Sequence, residues 1–310
     1  MEYIDAKAIR TALPYSQWVD RIEKAFLLEE GKDYIMPERT HVNFGKNTLL
    51  LMPCIADKYF STKLITLYPD NYLEGKASLQ GLVILNRRTD GEALAVLDGP
   101  AITAMRTAAA GSFAIRHLSP ESASRLGIIG LGTQGLHQAL FACSERKISE
   151  LTIFDQNKKL YQPFISNFTS EYADIKINMA VNSRDLCEKA EIIITATNST
   201  EAVLPDDEEI LNDKTIIGIG SYKENMREFP DSLYKVAGSI YIDSFHALKE
   251  SGDLIYPLSR GLMKETDFHI AGDLMKGKKQ MGDLRVFKSV GMALFDLLGS
   301  VLVYETLYMH

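Results

Sequence analysis

The strongest constraint on the fold is a glycine-rich turn, Gly130-Leu131-Gly132-Thr133-Gln134-Gly135, taken together with its flanks. LGIIG leads into it as a short apolar strand, and GLHQALFACSERK leaves it as a helix. A second strand, LTIFD, ends at Asp155, twenty residues beyond Gly135. Alone, a G-x-G-x-x-G spacing is a weak signal. Between a strand and a helix, with an acid closing the next strand, it is the fingerprint of a dinucleotide site. Gly130 permits the tight turn, Gly132 lets backbone approach a pyrophosphate, and Gly135 lets the helix pack closely on the strand. Thr133 and Gln134 open that helix, whose N-terminus favours phosphate charge. Asp155 can accept hydrogen bonds from both ribose hydroxyls and repels a 2′-phosphate. Gln156 and Asn157 follow it, with no Arg to offset that repulsion. NAD is therefore the expected cofactor, with NADP the alternative.

The alternation continues downstream through IKINMAV, a helix around Ser183 to Lys189, EIIITAT and TIIGIG, with Gly238 to Asp243 as a further strand. Strands and helices in this order form a parallel, doubly wound α/β sheet. Ligands of such sheets sit beyond the carboxyl ends of strands. Thr197, at the end of EIIITAT, and Ile219, Gly220 and Ser221, after TIIG, are accordingly expected to touch the cofactor.

The first third has a different texture. Trp18, Ile22 and Phe26 recur at the spacing of an amphipathic helix. Gly45-Lys46-Asn47 sits between apolar runs as a hairpin turn, and Phe60 to Tyr68, Gly81 to Asn86 and Glu92 to Leu97 read as strands. A largely antiparallel sheet follows. Asp98-Gly99-Pro100 then opens a helix that runs to about Leu118 and stops at Ser119-Pro120. The expected fold is α/β: a Rossmann doubly wound sheet over 119–289, plus an α+β N-terminal domain over 1–118 that the C-terminal helix, 290–310, returns to complete.

Composition narrows the partners. The net charge of −7 over 310 residues argues against nucleic acid and anionic membrane surfaces. The apolar run VGMALFDLLGSVLVYETLY is interrupted by Asp296 and Glu305, so it reads as core or dimer contact. Charges in MEYIDAKAIR stand where a signal peptide is apolar, so a soluble, cytoplasmic protein is expected. Three cysteines without a C-x-x-C, and histidines without ligand spacing, argue against a disulfide framework and a metal site. Asp206-Asp207-Glu208-Glu209 reads as a solvated helix start.

Across nearly its whole length the chain resembles the ornithine cyclodeaminase/μ-crystallin family. The matching residues are Pro37-x-Arg39, Ser61-Thr62-Lys63, Thr103-Ala104-Met105-Arg106-Thr107-Ala108-Ala109, GLGTQG, GSYKENMRE and VFKSVGMALFDL. The resemblance implies a homodimer in which the N-terminal domain supplies dimer contacts and much of a pocket for a small imino or amino acid. It also makes Arg39, Lys63 and Arg106 the substrate-site cations, and it places Ser289 on the nicotinamide side with Val290 beside the substrate. The residue types suit that chemistry. Arg39 and Arg106 can grip a carboxylate by forked hydrogen bonds. Lys63 is a compact charge whose pKa falls between other cations, so it can also exchange a proton. Any one such residue could be a surface cation, but Arg106, inside an Ala-rich helix, needs a buried anion.

One position departs from the family pattern. Ornithine cyclodeaminases and the related alanine dehydrogenases carry an acid two residues after the glycine of GSYK, where this chain has Tyr222. Cyclodeamination needs a carboxylate for the ornithine δ-amine, and Tyr is uncharged at neutral pH. Glu224 and Glu228 are nearby, at less suitable spacing; Tyr222 itself can equally be a packing residue. The expected activity is reduction of a cyclic imino acid such as Δ1-pyrroline-2-carboxylate, with ornithine cyclodeaminase as the alternative enzyme. A non-catalytic ligand-binding protein like μ-crystallin is the alternative of another class.

Overall fold

A computed structural model describes residues 1–277 and 283–309. The chain divides into two compact units, residues 1–106 with 292–310, and residues 107–291.

The first unit begins with β1 (Glu2–Ile4), α1 (Ala6–Thr11) and α2 (Tyr15–Gly31). Strands β2 (Tyr34–Ile35), β3 (Thr40–Phe44), β4 (Asn47–Ala56), β5 (Tyr59–Leu67), β6 (Leu79–Arg87) and β7 (Ala93–Asp98) follow, and then α3 (Gly99–Leu118). The sheet order is β1-β7-β6-β5-β4-β2, with β3 hairpinned onto β4. All pairings are antiparallel except β1 with β7. The hairpin and the three later strands stand where the sequence pattern puts them.

Side chains alternate across a strand, so β5 turns Ser61, Lys63 and Ile65 to one buried face. Met52, opposite Lys63, and Cys54, opposite Ser61, share it from β4. Lys63 would be out of place in an ordinary apolar core, and the site explains it.

The division falls inside α3. Arg106 belongs to the first unit, whereas Thr107 accepts at its carbonyl from Gln138 Nε2 at 2.9 Å, within the second. A Cβ on Gly111 would stand 2.1 Å from Gln138 Oε1, so the two segments are packed to contact. The helix terminates at the residue read from Ser119-Pro120, but tertiary packing, and not the helix end, sets the division.

The second unit carries β8 (Arg125–Ile129), α4 (Thr133–Glu145), β9 (Glu150–Phe154), α5 (Tyr161–Thr169), β10 (Lys176–Met179), α6 (Ser183–Lys189) and β11 (Ile192–Thr195). It continues with α7 (Glu208–Leu211), β12 (Thr215–Gly218), α8 (Asp231–Val236), β13 (Ile240–Ile242), α9 (Gly252–Ser259), β14 (Phe268–Ile270) and β15 (Arg285–Lys288). The sheet is parallel throughout, in the order β10-β9-β8-β11-β12-β15-β13-β14. Its first six strands repeat the doubly wound dinucleotide order, which reverses direction at β8. Central strands are buried on both faces, as continuous runs such as Ile192-Ile193-Ile194 require. Asp207 caps α7 by accepting from Glu209 and Ile210, which accounts for the acidic run before it.

The last helix, α10 (Ala293–Tyr308), belongs to the first unit. It packs on α2, β4, β5 and β6. Buried residues occur all around it from Ala293 to Val303. Phe295 meets Phe26 edge-on at 5.4 Å, and a Cβ on Gly299 would lie 3.0 Å from the Trp18 ring, so the two helices approach closely. No described helix is long and apolar enough to cross a membrane.

Candidate functional site

In the second unit the glycine turn follows β8 directly. Gly130 has φ +97°, and a Cβ there would stand 2.6 Å from the Ala196 carbonyl oxygen. A Cβ on Gly135 would stand 1.9 Å from the Gly130 carbonyl oxygen, so only glycine closes the turn. Gly132, the N-cap of α4, has open space beside it. This is a cradle that a side chain would fill and a pyrophosphate can occupy, with the N–H groups of Thr133 and Gln134 in the first turn of α4. Asp155 follows β9, across from the turn. Its carboxylate accepts from Leu131 N at 2.8 Å and from Asn157 N at 2.7 Å, which fixes the acid beside the turn. The cation nearest in sequence, Lys158, lies over the rings of Phe154 and Tyr161.

The loops after β11 and β12 are tied together by one residue. Glu228 is fully buried. Its Oε1 accepts from Thr197 N at 2.7 Å and Thr197 Oγ1 at 2.8 Å. Its Oε2 accepts from Thr195 Oγ1 at 2.9 Å, Gly220 N at 2.8 Å and Ser221 N at 3.3 Å. Behind it, Asp253 accepts from the N–H groups of Glu228 and Phe229, and Lys288 stands 3.3 Å from Asp253 and 3.9 Å from Glu228. Burial raises the Glu228 carboxyl; Lys288 opposes that rise and Asp253 adds to it. Thr197 and Gly220 are thereby brought together, and a Cβ on Gly220 would lie 2.0 Å from the Thr197 carbonyl oxygen. Ile219 is buried beside them. The Ser221 side chain does not face this space: it is fully buried, donating to Met226 O at 2.7 Å and sharing a 2.8 Å bond with Ser251. Any ligand contact from Ser221 is confined to its backbone.

Ser289 and Val290 follow β15 and are held by Asp243. Its Oδ2 accepts from Ser289 Oγ at 2.9 Å, from Val290 N at 2.8 Å and from Gly291 N. Tyr222 is 43% exposed, with the Lys223 ammonium 5.6 Å from its ring centre, and Glu224 is exposed nearby. Glu228, read from sequence as a possible stand-in for the missing acid, is instead committed to loop scaffolding in the core.

The first unit holds the cations. Lys63 on β5 and Arg106 on α3 are 3% and 5% exposed, and both turn to Asp296, which is fully buried in the first turn of α10. Lys63 Nζ lies 2.8 Å from Asp296 Oδ2, and Arg106 donates its Nε–H to Asp296 Oδ1 at 3.0 Å. Lys63 Nζ is also 3.5 Å from Thr103 Oγ1, which itself donates to Gly99 O at 2.8 Å. Arg39, half-buried between β2 and β3, is near enough to act on Lys63. Burial alone depresses the Lys63 ammonium; Asp296 pulls it back up, Arg106 and Arg39 push it down, and the balance falls at about 8. Burial would raise the Asp296 carboxyl, yet the two cations overcome it and hold that carboxyl below its usual range.

Asp296 is the site residue that sequence reasoning missed. Two signals existed: a carboxylate inside the apolar run MALFDLLGSVLV, and the anion that a cation within an Ala-rich helix requires. Among the described residues no cluster of metal-ligating side chains occurs.

Comparison with known proteins gives the family. The model of the ornithine cyclodeaminase/mu-crystallin family matches residues 4–309. A Δ1-pyrroline-2-carboxylate reductase of Bacillus cereus is 32% identical over 283 residues, covering 87% of this chain and 86% of that protein. The ketimine reductase mu-crystallin of Rattus norvegicus is 32% identical over 279 residues, covering 88% and 85%. Among solved structures, Thermococcus litoralis Δ1-pyrroline-2-carboxylate reductase in complex with NADH and L-proline superposes with a TM-score of 0.91 at 28% identity, covering 99% of this chain and 97% of that one.

Proposed function

The chain belongs to the ornithine cyclodeaminase/mu-crystallin family, and from that premise we propose that it is an NAD(H)-dependent reductase of a cyclic imino acid of the Δ1-pyrroline-2-carboxylate type. The observation that carries the proposal is the buried Lys63–Asp296–Arg106 cluster. Two cations share one carboxylate, so the cluster keeps a net positive charge out of water. Such a charge is costly unless an anion completes it, and the substrate carboxylate is that anion. Arg39 and Arg106 supply forked donors to fix it. Lys63, midway between charged and neutral near pH 8, contributes a cation at neutral pH and can pass a proton to the imine nitrogen.

In the second unit, Gly130, Gly132 and Gly135 with Thr133 and Gln134 would hold the pyrophosphate, and Asp155 the ribose. Thr197, Ile219, Gly220 and the backbone of Ser221 would line the rest of the cofactor, with Ser289 on the nicotinamide side and Val290 beside the substrate. When bound, the reduced nicotinamide supplies a hydride to C2 of the protonated imine, so that iminium and NADH become amine and NAD+. The residues of the chain bind, orient and neutralise, which is chiefly positioning catalysis.

Tyr222 favours reduction over cyclodeamination. It carries no charge for a δ-ammonium, and Glu228 is unavailable for that task because five donors already occupy it. Intact Arg39, Lys63 and Arg106 argue against a purely ligand-binding role. The proposal includes a homodimer acting in the cytoplasm. Val42, Phe44, Leu79 and Leu82 on β3 and β6 are 37–45% exposed, an apolar surface suited to a second copy, and three free thiols fit a reducing compartment. A panel of five- and six-membered cyclic imino acids and acyclic amino acids, assayed with NADH and NADPH, tests the substrate class. Turnover confined to acyclic amino acids would reject it.

A further inference from the structure

We propose that Asp296 is the positioning residue of this site: one carboxylate that holds Lys63 and Arg106 side by side and keeps Lys63 cationic for the incoming carboxylate. The inference rests on the proposed function for the nature of the substrate, but not for the state of Lys63.

The geometry is that of a bridge. Each Asp296 oxygen takes one cation, at 2.8 Å and 3.0 Å, and the three groups come from β5, α3 and α10. Arg106 reaches Asp296 through Nε, which leaves the Nη groups as the fork that grips a carboxylate. Lys63 Nζ pairs with Asp296 Oδ2 at 2.8 Å and donates to Thr103 Oγ1 at 3.5 Å.

The charge balance shows what the bridge does. The groups that act on one another here include Lys63, Arg106, Asp296, Arg39 and, on β4, Cys54. Burial, with Asp296 adding to it, pushes the Cys54 thiol up to about 12, so it stays neutral. Asp296 is then the carboxylate that Lys63 and Arg106 share. Without it, repulsion in a buried space would be relieved by discharging the weakest cation. Guanidinium does not deprotonate in proteins, so that cation is Lys63. Asp296 therefore decides whether the site meets an anionic substrate with Lys63 charged or neutral. A residue that merely stabilised the fold would leave the Lys63 titration where it is.

The test uses full-length protein with 13Cε-labelled lysine, Lys63 being assigned by Lys63→Met, and compares wild type with the near-isosteric Asp296→Asn. The expected Lys63 midpoint is about 8 in wild type and lower by about one unit or more in Asp296→Asn. The alkaline limb of kcat/KM should move with it, giving a loss of about fivefold or more at the wild-type midpoint and about tenfold or more well above it. An unchanged Lys63 midpoint in folded Asp296→Asn overturns the proposal. If that variant does not fold, wild type alone decides. The Asp296 13Cγ resonance must shift with the same midpoint as Lys63, and a resonance that stays still through the Lys63 transition overturns it equally. If wild type reduces no cyclic imino acid, the proposed function falls, while the Lys63 titration still decides the role of Asp296.

Discussion

The carboxylate of Asp155 accepts the backbone N–H of Leu131 at 2.8 Å, so the acid that closes the second strand of the nucleotide fold is fastened to the glycine turn after the first. The bond joins two halves of one recognition device. It holds a negative charge where the adenosine ribose sits in this fold, and it does so before any ligand arrives.

NADH is accordingly expected to bind more tightly than NADPH, by roughly tenfold or more, because a fixed carboxylate repels a 2′-phosphate and Lys158 is engaged with two aromatic rings. Asp155→Ala should weaken NADH by about 1–3 kcal/mol, the worth of hydrogen bonds to a charged acceptor, and should narrow the preference. Fluorescence titration of both cofactors against both proteins measures this. Tighter NADPH binding by wild type would show that another cation reads the phosphate.

Glu228→Gln should destabilise the second unit while leaving the first intact. A carboxamide has one acceptor oxygen, so its NH2 must face either the Thr197 N–H or the Gly220 N–H, donor against donor. A stranded buried donor costs about 1–3 kcal/mol, so calorimetry should show a loss of about that size together with weaker NADH binding. Unchanged stability and affinity would mean that the two loops hold their geometry without this carboxylate.

Lys63 gives the pH dependence its sign. Below about 8 the ammonium is charged, and above it the cation is lost, so kcat/KM for the imino acid should be level on the acid side of that midpoint and fall on the alkaline side. The limb seen in kcat should lie at higher pH, because a bound carboxylate favours the charged form. Lys63→Arg should remove the limb, since guanidinium does not titrate there. A limb that survives in Lys63→Arg belongs to the substrate imine or to another group.

The parts of this molecule written in local pattern were legible in its sequence. The turn from Gly130 to Gly135, its flanking strands and Asp155 lie within a few dozen residues, and each needs only its neighbours to be recognised. Strand β15 was not read as one, because Lys288 interrupts its apolar run. That lysine is buried only because Asp253 and Glu228, from elsewhere in the chain, compensate its charge. Asp296 escaped for the same reason: its partners lie 190 and 233 positions away, at Arg106 and Lys63, and no periodicity links them. Arg106 announced the need for a buried anion without saying which residue supplies it. Ser221 was read from its place at a strand end, where position describes the backbone well and the direction of a side chain poorly.

The most direct test of the central claim is a balance of cofactor and product. Purified protein is incubated with Δ1-pyrroline-2-carboxylate and NADH, and separately with L-ornithine and a catalytic amount of NAD, with NADH, proline and ammonia measured in each. The expected result is one NADH oxidised for each proline formed from the imino acid, and no proline or ammonia from ornithine. Efficient release of ammonia and proline from ornithine, without net change in the cofactor, would contradict the account and place a carboxylate for the δ-amine where Tyr222 now argues there is none.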